Sequence, residues 1–66
     1  MKVTVNGEAR EVEPGTTIRA LLDAIGAPAA GIAVEVNQEI VRKAEHPARE
    51  LREGDRVEVV GLVGGG

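Results

Sequence analysis

A chain of 66 residues with a formal net charge of −3 makes one small domain, near the lower end of what folds unaided. Acids and bases are interspersed, and Phe, Tyr and Trp are absent, so the chain lacks both the basic footprint and the stacking platforms of a nucleic-acid binder. No cysteine and a single histidine exclude disulfides and Cys–His catalysis and make a structural zinc site unexpected.

Lys2-Val3-Thr4-Val5 alternates polar and apolar residues, as a half-buried strand should. Asn6-Gly7 follows, a strong hairpin signal because both residues accept positive φ. Residues 9–13 read as the returning strand, with Val12 its clearest inward residue, and Pro14-Gly15 ends it. Thr16 or Thr17 can cap a helix by accepting a bond from a free backbone amide. Ile18, Leu21, Leu22 and Ile25 then fall at the i, i+3, i+4, i+7 spacing of one buried face, and Gly26 with Pro28 supplies the stop.

Beyond Gly31, Ile32, Val34 and Val36 alternate with Ala33, Glu35 and Asn37 in a second strand. Asn37-Gln38-Glu39 can turn the chain into a short segment, Ile40-Val41. The stretch 42–52 is charged and holds Pro47; Leu51 is its expected anchor, and His46 reads as a solvated loop residue. Glu53-Gly54-Asp55 turns into a last strand over 56–63. Hairpin, helix, strand, short strand and strand predict an α+β domain, a mixed sheet of four to five strands with one helix packed across it.

In the last strand, Val57, Val59, Gly61 and Val63 share one parity, and Arg56 and Glu58 occupy the other. Val60 and Leu62 continue that outer parity but are apolar. Either loops cover that end of the strand, or the outer face exposes an apolar patch suited to a partner. Behind it the sequence reads Gly64-Gly65-Gly66. Glycine has no Cβ, so such a tail can thread a channel too narrow for side chains, and three residues reach at most about 10 Å. The domain is therefore read as residues 1–63, with 64–66 a flexible C-terminal glycine tail. These glycines are not a Walker-type phosphate loop, which needs a following Lys-Ser/Thr and a helix.

No acid/base pair, metal set or nucleophile constellation stands out, so an independent enzyme is not expected. Glu11 and Glu13 read as solvated strand surface. No apolar run approaches the roughly 20 residues of a membrane span, and the amino terminus lacks a signal-peptide pattern. A cytoplasmic protein, monomeric when free and without nucleic-acid or membrane partners, is the expectation.

The Asn6-Gly7 hairpin, Pro14-Gly15-Thr16-Thr17-Ile18 leading to Leu21-Leu22, the run from Val34 to Val41, the run from Glu53 to Val60 and the Gly65-Gly66 end occur together in order. Over essentially the whole chain they resemble the ThiS family, the sulfur carriers of thiamine biosynthesis, with a ubiquitin-like β-grasp fold. The resemblance implies a carrier with no catalytic residue and no bound cofactor or metal, whose C-terminal carboxylate is the working group. A ThiF-like adenylating enzyme activates it with ATP and Mg, releasing pyrophosphate. Sulfur from a cysteine desulfurase or other persulfide donor displaces AMP, and a ThiG-like thiazole synthase takes it from the resulting thiocarboxylate. On this chain Gly66 would bear the adenylate and then the thiocarboxylate, Gly65 and Gly64 would thread the partner's channel, and Val60 and Leu62 would dock.

A carboxylate is a poor electrophile until one oxygen becomes part of a good leaving group, which accounts for the use of ATP. The tail carries three glycines, where a diglycine preceded by another residue also occurs in such carriers; this could shift channel fit. The small subunit of molybdopterin synthase shares the fold and the diglycine end. It usually runs longer, and aromatic residues are common near its last strand. Other sulfur-transfer carriers form a further alternative. A non-covalent β-grasp interaction module, with an inert tail, is the competing reading from a different class.

Overall fold

The computed structural model describes residues 1–28 and 30–61. The elements are β1 (Lys2–Val5), β2 (Glu8–Glu11), α1 (Ile18–Ile25), β3 (Ile32–Val36), β4 (Glu39–Val41), a short 3-10 turn (Lys43–Glu45) and β5 (Arg56–Gly61). The sheet order is β2-β1-β5-β3-β4. Only the β1–β5 pair is parallel; β1–β2, β3–β4 and β3–β5 are antiparallel. This is the predicted mixed sheet, with five strands and one helix, and the last strand lies beside the first at its centre.

Two tight hairpins set the registers. Asn6 and Gly7 join β1 to β2 at φ 50° and 85°, and Asn37 and Gln38 join β3 to β4 at φ 53° and 70°. Positive φ at both turn residues gives a twist that matches the flanking strands, and Asn tolerates it because its short polar side chain can bond locally. The second turn takes only two residues, so Glu39 belongs to β4 rather than to the turn. β2 covers Glu8–Glu11 instead of 9–13. Pairing continues past it in another form: the Met1 amine donates to the Val12 carbonyl, and the Val12 amide donates to the Met1 carbonyl, each at 2.8 Å.

The helix begins at Thr17, whose Oγ1 accepts from the Ala20 amide at 3.1 Å. It ends at Gly26 in the left-handed region, φ 74°. Eight residues are too few for a stable isolated helix, so packing must hold it. Ile18, Leu21 and Leu22 are buried against Val3, Val5, Val34, Val36, Val41 and Val57 of the sheet, with Leu51 closing one end. Every large member is aliphatic, as the absence of aromatics requires, and β-branched valines suit the pleated side.

The charged stretch after β4 departs from its sequence reading at one residue. His46, expected in solvent, is 5% exposed. Its Nε2 lies 3.0 Å from the Val41 carbonyl, and its own carbonyl accepts from the Arg19 amide at 3.0 Å. The 3-10 turn folds the chain back under the helix start, where the Ile18 amide donates to Arg49 and the Leu51 amide to Thr16. The imidazole is thus part of the packing that carries the segment to Leu51, and polarity along the stretch hid this.

Candidate docking face and tail root

The candidate site is built on β5. Its inner-facing residues Val57 and Val59 point to the helix, with Val57 fully buried and Val59 half-buried. Arg56, Glu58 and Val60 face the opposite side, which the helix leaves open. Val60 is 49% exposed. The strand end is therefore not covered by loops among the described residues, and of the two alternatives left by the sequence, the exposed apolar side chain is the one observed. Leu62, Gly64, Gly65 and Gly66, and with them the boundary at residue 63, lie outside the described residues.

Register identifies the neighbours of Val60 that periodicity alone could not. Across the open face, Val60 pairs with Ala33 of β3, and Glu58 pairs with Glu35. Ile40 of β4, 72% exposed, pairs with the far side of Glu35. Two carboxylates directly opposite each other in an antiparallel ladder are unfavourable. Among the described residues the ion pairs join the Met1 amine to Glu11 at 3.5 Å and Arg19 to Asp23 at 3.4 Å, and neither involves Glu35 or Glu58. The face thus combines exposed aliphatic side chains with an acidic pair that makes no ion pair, Arg56 standing beside it on the same face. The aliphatic and acidic side chains together suit a surface both apolar and cationic.

Two side-chain amide networks fix the strand that carries this face. At its start, Asp55 is buried and accepts from Asn37 Nδ2 at 3.0 Å and from the Arg52 amide at 2.8 Å. Asn37 Oδ1 accepts in turn from the Arg56 amide at 3.0 Å. Near its end, Asn6 Oδ1 accepts from the Val59 amide at 2.7 Å. Neither network was read from the sequence, where Asn6 and Asn37 registered only as turn formers.

A hollow of about 270 Å³ between the C-terminal end of α1 and β4 is lined by residues that include Arg19, Asp23, Arg42 and His46. No serine, threonine or cysteine lines it, and the imidazole Nε2 is engaged with Val41. Among the described residues, no three His, Cys, Asp or Glu groups could hold a metal ion together. Among them, too, no helix is long and apolar enough to cross a membrane.

Comparison with known proteins agrees with this geometry. The model of the ThiS family matches residues 3–66. The chain is 45% identical to a sulfur carrier protein ThiS of Thermus thermophilus, over 97% of its own length and 98% of that protein. It is 39% identical over 66 residues to a thiazole synthase of Paramagnetospirillum magneticum, of which it spans only 20%. The crystal structure of a thiamine biosynthesis protein, ThiS, from Geobacter metallireducens superposes with a TM-score of 0.86 at 32% identity, covering all of both chains. The fold is the ubiquitin-like β-grasp, and the chain belongs to the ThiS family.

Proposed function

We propose that this chain is a sulfur carrier of thiamine biosynthesis, acting as a co-substrate of partner enzymes rather than as an enzyme. Gly66 supplies the carboxylate. A ThiF-like enzyme docks on the face around Val60 and Leu62, admits Gly64 and Gly65 into a narrow channel and adenylates Gly66 with ATP and Mg. The outer sulfur of a cysteine desulfurase or other persulfide donor attacks the adenylate carbonyl and displaces AMP, forming an acyl disulfide. A thiol reductant cleaves its S–S bond, so that the thiocarboxylate leaves and the donor sulfur ends as a disulfide with that thiol. The resulting thiocarboxylate is delivered to a ThiG-like thiazole synthase.

The observation that carries this reading is the placement of β5. This central strand is held on both sides over its first half, and its last described residue, Gly61, lies beside an open face bearing Val60, Ala33, Glu35 and Glu58. Five residues follow Gly61, a reach of at most about 18 Å when extended. Neither activation step asks for a side chain of the carrier itself. A thiazole synthase containing a stretch similar to this whole chain supports that enzyme as the recipient, because linking a donor to its acceptor raises their effective concentration.

Intact-mass measurement after incubation with an adenylating partner, ATP, a persulfide donor and a thiol reductant, which is removed before alkylation, tests the proposal. Exchange of one oxygen for sulfur nearly coincides in mass with oxidation of Met1, so the product is also treated with an alkylating probe. This chain has no cysteine to compete for it. Label mapping to Gly66 is expected. If a partner active on a related carrier yields neither adenylate nor label, the glycine tail is passive and the interaction-module reading replaces this one.

A further inference from the structure

Within the parallel β1–β5 ladder, Thr4 and Val5 pair with Arg56 and Val57. The Asn6 amide extends the ladder by donating to the Val57 carbonyl at 2.8 Å. In a regular parallel ladder the next bond would run from the Val59 amide to the main-chain carbonyl of Asn6. That carbonyl is not in place, because Asn6 sits at φ 50° and turns the chain into the hairpin. Its side chain fills the gap: Oδ1 accepts from Val59 at 2.7 Å. One residue thus reverses β1 and also makes the ladder bond that the reversal removes. Beyond Val59, Val60 and Gly61 pair only with Ala33 and Ile32 of β3.

We infer that Asn6 is a positioning residue for the tail: its side-chain carbonyl secures Val59 and with it the course of β5 up to Gly61, the root of the C-terminal segment. The inference rests on the carrier reading, in which a partner must receive Gly66 at a defined place relative to the face around Val60. Glycine or any αL-tolerant residue would make the turn; an oxygen on a short side chain is needed only for the Val59 bond. Asn6 touches no reacting atom and acts solely through β5.

Two variants of the full chain separate turn from acceptor. Asn6→Gly keeps a two-residue turn that favours positive φ and removes the oxygen. Asn6→Asp keeps an oxygen and tolerates the same backbone region. Amide hydrogen exchange should accelerate at Val59 in Asn6→Gly by about fivefold or more, the loss of one net hydrogen bond. Exchange at Val34 and Val57 should stay within about twofold, as for a local opening. With a ThiF-like enzyme and ATP, pyrophosphate release from Asn6→Gly should show kcat lowered roughly tenfold, since small misplacements of a reacting group are costly, with KM little changed. Asn6→Asp should restore both readouts.

Unchanged exchange at Val59, acceleration equally at Val34 and Val57, a change in KM alone, or no rescue by Asn6→Asp would each overturn the inference. Wild-type protein that is never adenylated would remove the carrier reading. The exchange arm would still decide whether Asn6 secures Val59.

Discussion

Val57 and Val60 stand three residues apart on one strand with opposite surroundings, and substituting each tests whether the open face is a working surface. Val57 is fully buried between α1 and the sheet centre, whereas Val60 is half exposed. Val57→Ala removes two methyl groups and leaves a cavity, a loss of about 2 kcal/mol. In so small a domain that lowers Tm by about 8–16 °C. Val60→Ala should leave Tm nearly unmoved, because a partly exposed outer side chain contributes little to the core. On docking, the exposed half of the side chain becomes buried. Half of a valine's transfer energy is about 1 kcal/mol, so Val60→Ala should raise KM for the adenylating enzyme about threefold to fivefold. Val60→Lys places an ammonium where the partner is expected to carry cations, and like-charge contact should raise KM by a further factor of about ten. Steady-state pyrophosphate release at varied carrier concentration, with melting curves in parallel, measures both quantities. A Val60→Lys variant with wild-type KM would refute the docking assignment, whatever its stability.

Removing Gly65 and Gly66 should abolish adenylation while shifting Tm by less than about 1 °C, since among the described residues every buried core residue lies at or before Val57; a large loss of stability would show that the tail is structural. Glu58→Gln relieves the repulsion with Glu35, worth about 0.2–1 kcal/mol, so Tm should rise slightly while KM increases. Raising salt should likewise increase KM, and a salt-independent KM would remove the cationic partner surface from the argument. His46→Ala loses buried packing and the contact with the Val41 carbonyl, about 2 kcal/mol together, and should lower Tm without altering KM below the melt.

The fold was largely legible because its determinants are local. Asn6-Gly7 specifies a hairpin by backbone tolerance, Thr17 and Gly26 bound the helix by capping, and the spacing of Ile18, Leu21 and Leu22 marks the face that must be covered. Among the described residues, alternation in β1, β3 and β5 marked the inner-facing valines for the same reason; Val63, read on the same parity, lies outside them. Strand ends were less legible: β2 has no buried residue, so nothing in its side chains distinguishes Glu8 from Glu13 as a limit. His46 was misread because its burial depends on a tertiary return of the chain, against Val41 and the helix start, that no residue near it signals.

The site was legible only along the chain. Parity marked Val60 as an apolar residue on a polar face, but its partners across the sheet follow from register, which joins residues more than twenty positions apart. Glu35 opposite Glu58 is invisible until β3 and β5 are aligned, yet that juxtaposition most clearly separates this face from an ordinary solvated surface. A domain with so small a core has little stability to spare, roughly 3–10 kcal/mol for its length. Retaining an acidic pair and exposed aliphatic side chains around the end of its central strand runs against the stability of the isolated fold. Such local conflicts gather at functional sites. In the proposed docking, a partner surface both apolar and cationic would remove the repulsion and bury the exposed side chains in one event, so that the feature weakening the free domain would add to the driving force.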